Sequence, residues 1–411
     1  MLRSFKFRLY PARQQKVILQ SWLSECRNLY NEALAERKNA WEKTSASITC
    51  YMQLNNLPGL KQTKPALAGV HSQVLQDTLR RVDKAFKNFY SRMKKGQKPG
   101  YPRFKHAGRY NSFTFPQSGF ELEGKKLLLS KIGPINIKRH RQINGMIKTC
   151  TIKQEAGKWH AIFTADLQPA PQTAPRPTTA IGIDAGLVHI ITLSTGETVA
   201  HPKFYKKAEQ RLAFEQRHLS RKKKGSKNRM KQKLQIQNVH MKIANKRQDF
   251  LHKLSRQLVS DYGIIAYENL EIQNMQMKTP ARCATKLHNS ATVCRCRGLS
   301  KSIADASWGI LMRMLDYKVE EAGSQVIKVD AGYTSQMCSR CGAVAKKMLS
   351  ERTHSCTSCG LVMDRDHNAA INILKKGLGK IGQELPEATP VGDAQKEALS
   401  MKQEASTFRW G

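Results

Sequence analysis

The stretch "AIGIDAGLVHIITLSTG", Ala180–Gly196, reads as two apolar strands joined by a glycine turn, with one acid, Asp184, inside the first strand signal beside Ala185 and Gly186. Short β-branched runs bounded by turn residues carry that assignment. The downstream chain decides how the strands are used. A long basic helical stretch (203–259) precedes another apolar strand, "GIIAYENL" (263–270), in which the strand ends on Glu268. Then come a loop, a helix from about Lys301 to Ala322, the strand "SQVIKVD" (324–330), two cysteine pairs and a final helix. Strands and helices in this order form an α/β unit, because parallel neighbours need helical crossovers.

Upstream the text has another rhythm. "FKFRLYP" (5–11) alternates like a strand, and Pro11 opens a helical region with apolar Val17, Leu19, Leu23, Leu29 and Leu34. In a second helix Leu75, Leu79, Val82, Phe86, Phe89 and Met93 step by three and four, which places them on one face as core packing. Arg80, Arg81, Lys84 and Lys87 lie mostly off that stripe and are expected to face phosphates. After "KKGQKPGYPRFK" (94–105) the period changes. "NSFTFP", "LLLSKIGPINIK", "IKTCTIKQ" and "KWHAIFTADL" read as short strands of an antiparallel barrel or sheet. The proline-rich "LQPAPQTAPRPTT" (167–179) is a linker, with a domain boundary near residue 175. Beyond Gly379 no apolar period remains, and a disordered tail is expected.

The chain has 411 residues, with 70 Lys+Arg against 31 Asp+Glu, a formal charge of +39. Single cores usually stop growing near roughly 250 residues, so two or three domains are expected. Charge of this size repels itself unless a polyanion neutralises it, which points to nucleic acid. No apolar leader and no run of about 18 apolar residues stands in the sequence, so neither secretion nor membrane spanning is expected. Of the ten cysteines, six are scattered (Cys26, Cys50, Cys150, Cys283, Cys294, Cys296), and Cys294 and Cys296 read as ordinary thiols. The pattern is that of a reduced intracellular protein with one metal site.

That site is Cys338 and Cys341 in "CSRC", then fourteen residues, then Cys356 and Cys359 in "CTSC". Two such knuckles can present four thiolates tetrahedrally to one zinc ion, and a closed four-sulfur site is structural. Gly342 and Gly360 suit the tight turns. The chemistry falls to the scarce acids. Asp184, Glu268 and the aspartates of "DRDHNAA" (364–370) sit at strand ends and a helix start, where they can converge on a pair of divalent cations and hydrolyse a phosphodiester. Magnesium suits carboxylates that leave room for water and phosphate.

The ordered set "GIDAG", "ENL", "SIADASWG", "TSQMCSRCG", "RTHSCTSCG" and "DRDHNAAINI", with "FRLYP" and "YPRFK" upstream, resembles TnpB (OrfB), the transposon-encoded RNA-guided nuclease family, over nearly all of residues 1 to 375. The resemblance implies an α/β multidomain protein: a wedge β-barrel interrupted by a helical recognition insert, then a RuvC-like nuclease of RNase H fold with a zinc-ribbon insert. It places the wedge barrel at 1–10 and 105–170, the helical insert at 11–104, the linker at 171–180, the nuclease at 181–335 and 362–380, the zinc-bearing target-nucleic-acid-binding insert at 336–361 and the tail at 381–411. It implies Asp184, Glu268 and Asp366 as magnesium-binding catalytic acids, one structural zinc on the four cysteines, and Arg352 near the scissile strand. The implied partners are a guide RNA, with one protein copy per RNA, and a target duplex cut beside a short motif. The implied compartment is the bacterial or archaeal cytoplasm, at the nucleoid.

Helix geometry agrees on Asp366. If Asp364 caps the final helix, one turn beyond Asp366 come Ala369, Ala370 and Ile373, the apolar face that packs on the sheet, so Asp366 points inward. Guide and heteroduplex are held largely through phosphates, so the basic segments gain a task. Lys222, Lys223, Lys224, Lys246, Arg247 and Arg103 are the candidates to line that channel. The 277–298 loop is longer than in compact family members, and His189 is read as an ordinary strand residue. Rival readings are a small type V CRISPR effector, a non-cleaving transposition factor that binds DNA, and an RNA-guided repressor. The intact acid set argues against the last.

Overall fold

In the computed structural model the described residues are 2–167, 179–276, 290–345 and 351–382, with 290–297 as backbone only. They fall into two compact units, one of residues 1–171 and 210–244, the other of 172–209 and 245–411. The expected nuclease span 181–335 is therefore divided between them. Residues 168–178 of the proline-rich linker and the tail beyond Gly382 lie outside the described residues, as does Cys283, and β8 begins already at Ala180.

In the first unit, β1 (Leu2–Tyr10) buries Phe5, Phe7 and Leu9 on one face, the consequence of a side-chain period of two. Six strands join it: β2 (Ser112–Phe115), β3 (Phe120–Glu123), β4 (Lys126–Leu129), β5 (Gly133–Lys138), β6 (Met146–Glu155) and β7 (Lys158–Asp166). The antiparallel order is β2-β6-β7-β1-β5-β4-β3. The sheet curls enough for Phe115 and Phe120, on its two end strands, to bring their ring centroids within 6.3 Å. Helix α1 (Arg13–Thr44) packs on it through Trp22, 5.4 Å from the Phe113 ring. Three short helices, α2 (Cys50–Asn55), α3 (Leu57–Thr63) and α4 (Pro65–Ala68), lead to α5 (Ser72–Lys94).

The apolar stripes are core only in part. Val17 is exposed, whereas Leu19, Leu23, Leu29 and Leu34 are buried. On α5 burial ends at Phe86, and Met93 is 51% exposed. Arg81, expected to face phosphates, instead stitches α5 to β2: it reaches Asp77, the Ser112 carbonyl and Thr114 Oγ1, each at 2.7 Å. A guanidinium has enough donors to lock two elements together, and here it does.

The long basic stretch is two helices, α6 (Phe204–Ser220) and α7 (Lys227–Asp261). Gly225 breaks it with a φ of +85°, a conformation that costs other residues energy. Arg229 fastens the turn by donating to the carbonyls of Leu219 and Lys222.

The second unit is built on β8 (Ala180–Asp184), β9 (His189–Leu193), β10 (Thr198–Ala200), β11 (Ile264–Glu268) and β12 (Gln325–Val329), in the order β10-β9-β8-β11-β12. β8, β11 and β12 are parallel, and β9 and β10 continue antiparallel from β8. After α8 (Ile272–Gln276), the helix expected from Lys301 is two, α9 (Ser290–Ala306) and α10 (Trp308–Ala322). Ser307 separates them with a left-handed φ of 58°. Cys294 and Cys296 thus lie in a helix, not in a loop. A hairpin of β13 (Thr353–Ser355) and β14 (Val362–Asp364) runs into α11 (Arg365–Lys380), which lies on β8 and β11. A Cβ on Gly182 would stand 2.1 Å from the Ala370 carbonyl, and one on Gly377 would stand 2.7 Å from Ala266. Glycine at these two places lets helix and sheet touch. Among the described residues no helix is long and apolar enough to cross a membrane.

Candidate active site

Asp184 and Glu268 are the last residues of adjacent parallel strands. The register pairs Ile183 with Tyr267, so the two carboxylates leave the same end of the sheet side by side. Asp366 comes from the first turn of α11 and reaches the β8–β9 turn, where its Oδ2 lies 4.0 Å from the position of a Cβ on Gly186. Three stretches far apart in sequence thus bring Glu268 and Asp366 within charge reach of Asp184, although the three carboxylates do not close to the mutual spacing of a metal-ligand group.

The neighbouring Asp364 has the other job. It is the N-cap of α11, in extended backbone, and its Oδ1 accepts from the amides of Asp366 at 2.9 Å and His367 at 3.0 Å. Ala369, Ala370 and Ile373 are buried on the sheet side, which agrees with the register expected from helix geometry. Asp366 is held by two cations. Arg365 donates through Nε and Nη2 to its Oδ1 at 3.2 and 3.0 Å, and Arg352 stands 3.5 Å from its Oδ2. The β13–β14 hairpin makes this possible by pairing Thr353 with Asp364 across the strands.

Burial and the charges of Glu268 and Asp366 push the Asp184 carboxyl up to about 7, against a weaker pull from Arg365. Burial also raises Glu268; the Thr334 hydroxyl, 2.5 Å from its Oε1, and the charge of Lys376 oppose the shift. Carboxylates gathered at one end of a sheet and partly out of water favour a cation or a proton among them. An all-oxygen donor set fits hard divalent metal chemistry, in which the metal takes the place of a proton.

The four cysteines make a different kind of centre. Their sulfurs all lie within 4.8 Å of one another, the one such ligand group among the described residues. Cys338–Cys359 and Cys341–Cys356 sulfurs are 3.7 and 3.5 Å apart, close to the about 3.8 Å edge of a tetrahedron with metal–sulfur bonds near 2.3 Å. The site is compatible with a structural zinc. Each knuckle repeats one design: Gly342 and Gly360, at φ +77° and +72°, return their amides to the carbonyls of Cys338 and Cys356. Amides of Cys359 and Ser358 donate to the Cys356 sulfur and hold its thiol down at about 6, outweighing burial.

Spacing alone did not show what ties the two centres together. Asn368 and Asn372, fully buried on α11, bond the Met337 carbonyl, and Asn368 also accepts from the Ser339 amide. Lys375 and Lys376 bond the carbonyls of Ser339 and Gly332. Two asparagines four apart on an otherwise apolar helix face were the available signal, and Thr334 beside the first cysteine pair was another. His367 bonds the Ser194 carbonyl, and His189 is the first residue of β9.

The basic candidates scatter. Lys222, Lys223 and Lys224 sit in the turn between α6 and α7, Lys246 is exposed on α7, and Arg103 is exposed after α5. Arg247 is engaged internally: it pairs with Asp305 at 2.9 Å, and that carboxylate also accepts from the Tyr205 amide. Arg352 stands at the acids.

The chain is similar to known proteins over most of its length. Residues 149–279 match the OrfB_IS605 family ("Probable transposase"), residues 308–373 the Cas12f1-like TNB domain, and residues 1–45 a helix-turn-helix family. In the structure this last stretch is β1 and a single long helix. Two similar proteins carry the name "Putative RNA-guided DNA endonuclease". InsQ of Escherichia coli K12 is 33% identical over 92% of both chains. One from Streptomyces pristinaespiralis is 35% identical over 92% of this chain and 89% of its own. "CRISPR-associated endodeoxyribonuclease Cas12f1" of Sulfoacidibacillus thermotolerans is 29% identical over 54% of this chain and 51% of its own.

Proposed function

The chain belongs to the TnpB (OrfB) family, and on that premise we propose that it is a transposon-encoded, RNA-guided endonuclease that cuts double-stranded DNA. The observation that supports the reading is Asp184 within charge reach of Glu268 and Asp366, with two arginines on Asp366, in a chain of charge +39. We assign the second unit's five-stranded sheet and α11 to a RuvC-like nuclease, and the curled sheet of the first to a wedge barrel interrupted by helices 11–104. Residues 336–361 are the target-nucleic-acid-binding insert, with one structural zinc on Cys338, Cys341, Cys356 and Cys359.

The three acids would hold two magnesium ions, which supply an activated water and neutralise charge on the leaving oxygen of the phosphodiester. The residues prepare that chemistry. Asp184 must give up a proton for the set to be fully charged. Thr334 fixes one oxygen of Glu268, and the Asp364 cap fixes the start of α11 and with it Asp366. Arg352, 54% exposed, is free on its outer side to meet a scissile phosphate, while base pairing to the guide supplies sequence specificity.

The purified ribonucleoprotein should cleave a guide-matched duplex in magnesium. Asp184→Ala should abolish cutting while leaving duplex binding intact. Unchanged cutting by that variant, or a preparation that cuts with no RNA present, would sink the assignment.

A further inference from the structure

One cavity of the first unit is left unused by the nuclease chemistry. It has a volume of about 470 Å³ and lies between the end of α1 and the C-terminal half of α5. Its rim is aromatic and open: Trp41 is 62% exposed, Tyr90 53% and Tyr101 45%. Phe86 and Phe89 brace Tyr101 edge-on, with centroids 5.7 and 5.5 Å from it. This is the part of the α5 stripe that the core does not cover.

Arg37 forms part of the wall. It is 9% exposed; its Nε donates to Gln53 at 2.8 Å, its Nη1 lies 3.4 Å from Asp83, and its guanidinium stands 5.4 Å over the Phe86 ring. Its Nη2 is shut off from solvent with no oxygen or nitrogen partner, and the Cys50 thiol accepts a hydrogen bond from the guanidinium. Arg37 is thus a tied, buried part of the wall, and the surfaces left open to a ligand are the aromatic faces. A carboxylate there would meet the charge of Asp83. A flat, neutral ring suits these walls.

A second cavity, of about 560 Å³, shares Tyr101 and is lined by Lys38, Arg103, Lys105 and Arg109. Asn31 clamps the Lys105 backbone in both directions, at 2.8 and 3.0 Å, so this segment is shaped in advance. An aromatic slot beside a cationic trough is the arrangement that takes a base on one side and its phosphates on the other. We propose that the Trp41/Tyr90/Tyr101 cavity binds one unpaired nucleobase of the RNA that the protein carries, its ring on these aromatic faces and its backbone along Lys38, Arg103 and Arg109. Paired target DNA keeps its bases stacked, whereas folded RNA offers splayed ones. The proposal rests on the RNA-guided reading.

The test uses the ribonucleoprotein purified with its own RNA. After ultraviolet irradiation, mass spectrometry should find ribonucleotide adducts on peptides bearing Trp41, Tyr90 or Tyr101. Deoxyribonucleotide adducts there, or none, would overturn the proposal. The co-purified RNA, sequenced, transcribed and labelled, should bind the Tyr90→Ala/Tyr101→Ala variant about tenfold more weakly, and Tyr90→Phe/Tyr101→Phe should restore binding. Affinity within twofold of the parent for the alanine pair, or no recovery with phenylalanine, rejects stacking here while the RNA-guided reading stands. A preparation that cuts DNA without RNA removes that reading and this site with it.

Discussion

The cysteine centre and the carboxylate centre lie in one unit and use negatively charged donors, yet they are built in opposite ways. Each cysteine knuckle closes within a few residues, through one glycine and one amide returned to a carbonyl. The acids arrive from two strand ends and a helix start, so their proximity is a property of the sheet order. As a zinc site the first centre would leave no open coordination position, and as the proposed magnesium site the second would have to keep room for water and phosphate. A closed local site resists displacement; an open assembled one holds carboxyls at a pKa that a bound cation would lower.

The sharpest test of this contrast is to remove one acid and one cap two residues apart. Asp366→Ala should lower cutting on the order of a thousandfold or more, with zinc content and RNA binding unchanged. If zinc is lost as well, the two centres are not separable. Acidity should act next. Because folded Asp184 holds its proton up to about 7 and an unfolded aspartate only to about 3.8, metal must displace that proton below pH 7. Magnesium affinity, followed calorimetrically, should fall up to about tenfold per pH unit below that point and level off above it. The same shift makes the unfolded, metal-free chain the poorer proton binder between these values, so this group's contribution to stability declines as pH rises through that window. Asp184→Asn should therefore raise the melting temperature of the metal-free protein at pH 8.

If the four-sulfur centre holds zinc as proposed, Cys356→Ser should release it, measured by metal analysis, and lower cutting roughly tenfold through loss of the hairpin that carries Arg352. Full activity without zinc would show that the knuckles do not support the acids. The smallest effect belongs to Asp364→Ala. Loss of a cap costs about 1 kcal/mol of helix stability, and cutting should fall only a few-fold. A larger loss here than for Asp366→Ala would reverse the roles of the two.

Legibility in the sequence tracked distance along the chain. The knuckles, the alternating β1 and the capped start of α11 arise from neighbours within a few residues, and they stand where local rules put them. Phe89 and Met93 continue a helical stripe in sequence, but the core ends at Phe86, because a period says which residues share a face and not how far the covering layer extends. Arg81 and Arg247 read as phosphate ligands from charge alone and turned out to be internal ties. The two glycines at which α11 meets the sheet, the buried asparagines that bind the first knuckle and the Thr334 contact to Glu268 all depend on a partner far away in the chain.

The sequence by itself therefore determined the local devices and the charge: a four-sulfur centre, strands and helices in α/β order, an acid poised at each of three element ends, and a surface that needs a polyanion. Their spacing is set by backbone geometry over a few residues, which no later packing revises. Only the tertiary structure decided that Glu268 and Asp366 come within charge reach of Asp184, that burial and their charges push its carboxyl up to about 7, and which arginines are tied internally. Those outcomes rest on burial and on long-range pairing, where small differences in packing choose among partners that composition cannot tell apart.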